Sequence, residues 1–297
     1  MEAIEVTNLQ KTFKTKGKKI KALDGMSFAV KRGELCGFLG PNGAGKSTTL
    51  KVLMDLIKPD KGEAKILGID SKNCLARLKV GFMPENPQYP DTLTGYELLM
   101  LSASIFNIPK KQAQKKAWDL LQAFELKNAA KVPIRTYSKG MIQRIGFASV
   151  LIHDPELLIL DEPLSGLDPL GRVMFKKKMK ELNKEGKTIF FSSHIIPDIE
   201  DVCSKVIIVN KGNVVKTLDK NQIKYFSTVG FNVIINSYID SLCPKKIGDN
   251  LYAVYCKKEN LISCLDVIRS NRGEIIDIEP VKKSLEEVFV QITQNFI

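Results

Sequence analysis

Eight residues, Gly40-Pro41-Asn42-Gly43-Ala44-Gly45-Lys46-Ser47, satisfy the pattern G-x-x-x-x-G-K-[ST] without a mismatch. The apolar run Leu35–Leu39 before them predicts a buried parallel strand. Leu50, Leu53, Met54 and Ile57 after them keep the spacing of one helix face. A glycine turn between strand and helix lets backbone N–H groups close round phosphate oxygens, and the helix N-terminus adds partial positive charge. Lys46 is expected to reach the β- and γ-phosphates, Ser47 to hold Mg²⁺ through its hydroxyl, and Thr48 to complete the nucleotide-binding set. The chain is therefore expected to bind a nucleoside triphosphate on an α/β core.

Composition narrows the setting. The 297 residues suffice for one large or two modest domains, and 44% apolar with 26% charged residues is the balance of a soluble globular protein. No apolar stretch approaches the ~18–20 residues that a membrane span needs. Met1-Glu2-Ala3-Ile4-Glu5 lacks the basic and apolar regions of a signal peptide. The cysteines at 36, 74, 203, 243, 256 and 264 contain no C-x-x-C pair, so reduced, buried thiols are expected rather than a zinc site or disulfides. Ten Lys/Arg and ten Asp/Glu fall within 217–297, so the whole net charge of +12 lies in residues 1–216. Its clusters at Lys14–Lys21, Lys110–Lys116 and Lys176–Lys180 fit solvated surface, an anionic membrane surface or nucleic acid. Aromatics are not interleaved with them, which argues against a single-strand binder, and no nucleic-acid partner is expected.

Alternating patterns predict core strands at 34–39, 79–82, 156–161, 188–192 and 205–209, with short antiparallel strands at 2–8 and 24–31. The strand signal stops between about 86 and 150. Helices are expected there at 94–107, around Ala117, Leu120, Leu121 and Phe124, and at 139–152, forming an inserted helical subdomain. The predicted domains are 1–217 and 218–297. The second is a β-β-α-β-α module with strands at 231–238, 251–258 and 274–281, a helix at 259–271, and a last helix marked by Leu285, Val288, Phe289 and Ile292.

The strand Leu157-Leu158-Ile159-Leu160 delivers Asp161-Glu162 to the sheet's carboxyl edge, where open α/β sheets bind ligands. Asp161 is expected to act on Mg²⁺ through its water shell. Glu162 is expected to orient, and partly deprotonate, the water that attacks the γ-phosphorus.

With these residues in view the chain resembles the ATP-binding-cassette (ABC) proteins. Asp161-Glu162-Pro163, Ser165-Gly166-Leu167-Asp168 and Ser192-Ser193-His194 look like their Walker B, D-loop and switch-histidine motifs. Tyr137-Ser138-Lys139-Gly140-Met141-Ile142-Gln143-Arg144 looks like their signature. The resemblance covers residues 2–216 in order. Residues 275–297, with Ser284-Leu285-Glu286-Glu287-Val288-Phe289, resemble the C-terminal extension of the subfamily that drives ABC-2-type permeases.

The resemblance implies a P-loop α/β domain with an N-terminal antiparallel β-subdomain, the helical insertion and a small C-terminal α+β module. It implies ATP hydrolysis that powers a separate membrane permease, in the direction of export, at the cytoplasmic face of the cell membrane. It further implies that two such subunits, expected to be identical, sandwich two ATP molecules head to tail. Each site then joins one glycine loop to the other subunit's Ser138, Lys139, Gly140, Met141 and Asp168. The signature departs from Leu-Ser-Gly-Gly-Gln at Tyr137, Lys139 and Met141, while Ser138 and Gly140 are kept. On the same resemblance His194 is expected to contact the γ-phosphate and attacking water, Phe13 to stack on adenine, and Glu85 to replace the family's metal-contacting glutamine. Gln88 is the alternative to Glu85, and His153 is read as structural.

Two rival classes remain: an ABC ATPase acting on nucleic acid or ribosomes, and a regulatory subunit that barely turns over. One cassette without sustained heptads argues against the first. Finally, Tyr89, Tyr96, Leu98, Leu99, Met100 and Phe106 carry more apolar surface than one helical layer needs, which predicts a groove for a permease helix.

Overall fold

Four consecutive apolar residues leave no face for water, so a strand such as Leu157–Leu160 must lie inside a sheet covered on both sides. The computed structural model, which describes residues 1–15, 18–222 and 228–282, divides into two compact units, Met1–Leu218 and Asp219–Ile297.

The first unit begins with a long hairpin, β1 (Glu2–Thr15) and β2 (Lys18–Lys31), followed by β3 (Leu35–Leu39) and α1 (Lys46–Leu53). Then come β4 (Lys61–Ile66), β5 (Ile69–Asp70) and β6 (Val80–Met83), with helices α2 (Gly95–Ile105), α3 (Lys110–Ala123) and α4 (Lys139–Leu151). It continues with β7 (Leu157–Leu160), α5 (Pro169–Lys184), β8 (Thr188–Ser193), α6 (Ile196–Glu200), β9 (Lys205–Asn210) and β10 (Asn213–Asp219). One sheet runs β2-β1-β4-β5 and the other β10-β9-β3-β8-β7-β6. In the larger sheet β9, β3, β8, β7 and β6 pair in parallel, and every residue of β3, β7 and β8 is buried. The core joins both sheets to α1 through Ile4, Leu9, Phe28, Phe38, Leu50 and Phe190. Phe28, Phe38 and Phe190 meet with centroids 5.2–5.5 Å apart. A second aromatic knot ties Phe124 after α3 to Phe147 of α4 and Phe175 of α5.

Three local expectations are corrected. The hairpin strands reach far beyond 2–8 and 24–31, because cross-strand pairs such as Phe13↔Ile20 extend the ladder through a lysine-rich stretch. Register shifts and the left-handed Asn8 (φ 49°) interrupt the alternation that would have announced this length. Helix α1 stops at Leu53, and Asp55 turns the chain at φ 56°. Met54 and Ile57 pack on the core from beyond the helix, so the apolar spacing outlasts the helix. Leu98 and Leu99 are buried and Tyr96 packs on Trp118, so these side chains fill the helical layer instead of lining a groove, while Phe106 stacks on His153 at a separate small cavity.

The second unit holds β11 (Thr228–Ile235), β12 (Lys245–Gly248), β13 (Leu251–Lys257), α7 (Leu261–Ser270) and β14 (Ile275–Lys282), with sheet order β12-β13-β11-β14. The short β12 was not foreseen. The predicted helix bearing Leu285, Val288, Phe289 and Ile292, and the Ser284–Phe289 string, lie outside the described residues. The core of Val233, Ile235, Val254 and Ile268 brings Cys256 against Cys264, and a disulfide joins them with Cα atoms 6.6 Å apart. That corrects the expectation of six reduced thiols: a helix packed on the preceding strand brings together cysteines whose spacing shows no motif. Cys36, Cys74, Cys203 and Cys243 are free thiols, and burial pushes those of Cys36 and Cys203 well above their usual range.

Candidate functional site

Parallel strands deliver their next residues at one edge. Here β3 leads into Gly40, β8 into His194, β7 into Asp161-Glu162 and β6 towards Glu85, in that spatial order. A cavity of about 310 Å³ opens along this edge. It is lined by Pro41, Asn42, Gly43, Gly45, Lys46, Ser47 and Thr48, with Phe13, Glu85, Glu162 and His194 completing the wall. Gly40 and Ala44 support the loop from outside the lining. A side chain at Gly40 would meet the Val209 carbonyl at 2.4 Å, and one at Gly45 (φ 101°) would meet the Ala22 carbonyl at 2.6 Å. The loop's path depends on both absences of a side chain.

Lys46 is buried. Its ammonium donates to the carbonyls of Gly40 (2.7 Å) and Pro41 (3.3 Å) and pairs with Glu162 Oε1 at 3.3 Å. The other Glu162 oxygen, Oε2, lies 3.0 Å from His194 Nδ1. Lysine and histidine thus fix one carboxylate from two sides. Glu162 itself sits at φ 46°, a left-handed conformation that is costly for a residue with a side chain and is tolerated where function demands it.

Ser47 Oγ donates to Asp161 Oδ1 at 3.2 Å. A hydroxyl and a carboxylate this close offer oxygen donors of the kind taken by Mg²⁺, which binds through few protein ligands and keeps several waters. Glu85 and Ser47 line the cavity while Asp161 lies behind its lining, and no three acids, histidines or cysteines among the described residues cluster as a metal site. Phe13 pairs across the hairpin with Ile20, and Ile20, Lys21 and Ala22 join the lining. These three were not foreseen, because an exposed lysine-rich hairpin gives no site signal until the ladder places it beside the loop.

Ser192 was also missed as a functional residue, although it lies in the quoted Ser-Ser-His string. Fully buried, its hydroxyl donates to Asp161 Oδ1 (2.7 Å) and accepts the Glu162 N–H (2.8 Å). One hydroxyl therefore sets both acids. Ser192→Ala is expected to lower kcat roughly 10- to 100-fold, as loss of a supporting hydrogen bond does elsewhere. It should also cost about 1–3 kcal/mol through the unpaired Glu162 amide. Steady-state ATPase assays and thermal melts check both, and parental kcat would show that Ser192 does not position the acids.

None of Ser138, Lys139, Gly140, Met141 or Asp168 lines this cavity. Ser138 caps α4, its Oγ accepting the Met141 N–H at 3.2 Å, and Asp168 caps α5 through the Gly171 N–H at 2.7 Å. Ser138 and Asp168 are exposed, and the Lys139 stem lies across Gly166, bringing the two segments together at the surface. Tyr137 is buried, its hydroxyl donating to the Ala129 carbonyl at 2.6 Å and resting against Gly95. That accounts for an aromatic at the head of this motif. His153 stacks on Phe106 with centroids 3.7 Å apart and contacts the Val80 carbonyl at 3.1 Å. Burial pushes its pKa down, and its place away from the cavity fits a structural role.

Comparison with known proteins adds independent findings. Residues 23–165 match the family described as ABC transporter. An uncharacterized ABC transporter ATP-binding protein of Nostoc sp. is 36% identical, with 98% of this chain and 90% of the relative covered. The bacitracin transport ATP-binding protein of Bacillus licheniformis is 34% identical, with 97% and 96% covered. The dimeric structure of a post-hydrolysis ATP-binding cassette bound to ADP and Pi is 27% identical, with a TM-score of 0.68 over 73% of this chain and 98% of that one.

Proposed function

This chain belongs to the ATP-binding proteins of the ABC transporter family, and from that premise we propose that it hydrolyses ATP at the β3–α1 cavity to drive a separate permease of the ABC-2 type, in the direction of export. The observation that carries the site assignment is the Glu162 carboxylate held between Lys46 (3.3 Å) and His194 (3.0 Å) on the wall of the glycine-loop cavity.

In this reading Glu162 orients a water for in-line attack and accepts its proton as the water oxygen bonds to the γ-phosphorus. The bond to the β–γ bridging oxygen breaks, and ADP and phosphate leave. Lys46 and the loop amides stabilise the negative charge carried by the phosphoryl oxygens, the largest contribution in such sites. His194 contacts the γ-phosphate and water. Mg²⁺, when bound, neutralises charge on the triphosphate, and Ser47, Asp161 and Glu85 are the residues that would hold it. Phe13 stacks on the adenine.

Ser138 supports a site shared between two copies. As a cap acceptor it keeps its own proton for donation, at a helix N-terminus suited to an anion. Facing a γ-phosphate bound by the other copy, Ser138 with Lys139, Gly140, Met141 and Asp168 closes a head-to-tail homodimer around ATP. No helix among the described residues is long and apolar enough to cross a membrane, so a transport path requires another chain. The subunit then works peripherally at the cytoplasmic face. A relative named for bacitracin transport supports a role in transport.

A groove of about 620 Å³ lined by Pro87, Gln88, Tyr89, Asp91, Arg135 and Tyr137, which begins beside Glu85, is where this reading places a short permease helix. Of the six apolar residues first expected there, Tyr89 alone lines it. Cysteines placed at the exposed Gln88 and Asp91 are expected to cross-link the permease in membranes, with a yield that changes on adding ATP. Cross-links arising only from residues 228–282 would move the docking surface to the second unit.

A further inference from the structure

Asp198 lies in the short helix α6, four residues after His194, and is only 3% exposed although it is an acid. Each of its oxygens takes one cation from α5: Oδ2 accepts from Arg172 Nη1 at 3.1 Å, and Oδ1 pairs with Lys176 Nζ at 3.0 Å. Arg172 and Lys176 stand one turn apart, so both reach this carboxylate from one face of α5. Desolvation cancels much of the attraction in such a buried cluster, and what it can add is one fixed arrangement. Here the fixed element is the one that follows His194. Ser193 Oγ accepts the Ile195 N–H at 2.9 Å, turning the chain from β8 directly into α6. Next to Asp198, Ile199 is fully buried against β3, where a side chain at Gly37 would meet it at 2.9 Å. The His194 side chain is 44% exposed, and among the described residues its ring has one hydrogen-bond partner, Glu162. One contact does not aim a ring, so the rest of its orientation comes from the backbone between β8 and α6.

We propose that Asp198 is a positioning residue for hydrolysis: by pinning α6 to α5 through Arg172 and Lys176, it holds the Ser193–Ile195 turn and aims the His194 imidazole. Asp198 is not part of the cavity lining and acts only through His194. The inference therefore rests on the reading that His194 contacts the γ-phosphate and the attacking water.

Asp198→Asn in the full-length chain keeps the shape of the side chain and removes the charge that gathers the two cations. Arg172 and Lys176 are half-buried, so water can take their freed N–H groups, and Ile199 still seats α6 on β3. The single-turnover rate of ATP hydrolysis is expected to fall roughly 10- to 100-fold, the scale of a misplaced catalytic group. ATP affinity should stay within about twofold, since only an interaction of the transition state is lost. A double-mutant cycle with His194→Ala then tests whether Asp198 works through the imidazole. In the His194→Ala background, Asp198→Asn should lower the rate by no more than about twofold, because the group it aims is gone. A parental rate in Asp198→Asn, or losses that multiply in full in the double variant, overturns the proposal. If Asp198→Asn does not fold, Arg172→Gln carries the same cycle from the α5 side, with the same expected and overturning results. His194→Ala separates the two readings: a parental rate there sinks the role of His194, whereas its loss beside a parental Asp198→Asn sinks only the role of Asp198.

Discussion

Glu162→Gln is expected to bind ATP as the parent does and to lose steady-state hydrolysis by roughly 100- to 10,000-fold, the range set by removal of a general base. The amide preserves the shape of the carboxylate between Lys46 and His194, at 3.3 and 3.0 Å in the parent. Only the ability to take the proton of the attacking water is lost. With chemistry blocked and binding intact, two copies closed over ATP should accumulate, visible as an ATP-dependent dimer in size-exclusion chromatography. Hydrolysis within a few-fold of the parent would remove Glu162 from the role of base.

Lys46→Ala should act differently. The variant removes a buried ammonium that contacts two loop carbonyls and Glu162, and with it a fixed positive charge on the wall of the glycine-loop cavity. Losing one such preorganised donor costs roughly 100- to 1000-fold in kcat, about 2.7–4 kcal/mol. Nucleotide affinity should fall as well, since the role proposed for Lys46 is to act on bound ATP as well as on the transition state. Glu162→Gln is expected to spare that affinity, so a binding titration beside the ATPase assay distinguishes the two. Near-normal turnover in Lys46→Ala would withdraw the phosphate cradle from this loop.

Sequence patterns were legible where chemistry is local. Strand, glycine loop and Lys46 are consecutive, and the loop's backbone demands are met only by its glycines, so eight residues carried the nucleotide site. The Leu157–Leu160 strand likewise announced its own burial and the two acids after it. Errors fell where local patterns are overruled by partners distant in sequence. The lysine-rich half of the hairpin looked like a loop, yet Phe13↔Ile20 pairing made it a cavity wall. Leu98 and Leu99 looked like docking surface, yet α3 and α4 gave them an interior. Cys256 and Cys264 showed no motif because their proximity comes from a helix packed on a strand.

By itself the sequence determined the parts: a glycine-rich loop between strand and helix, a buried strand ending in two acids, a helix capped by Ser138. Their order in space was decided only by the tertiary structure. β3 pairs with β8 and β9, more than 140 residues away, as Cys36↔Phe190 and Cys36↔Lys205. That choice sets β8 between β3 and β7, which puts Ser192 and His194 between the glycine loop and the acids they position. Buried apolar strands are nearly interchangeable as neighbours, since burial is non-directional. Which strand lies beside which is settled by the joint packing of every crossover helix on both faces, and no single segment encodes it.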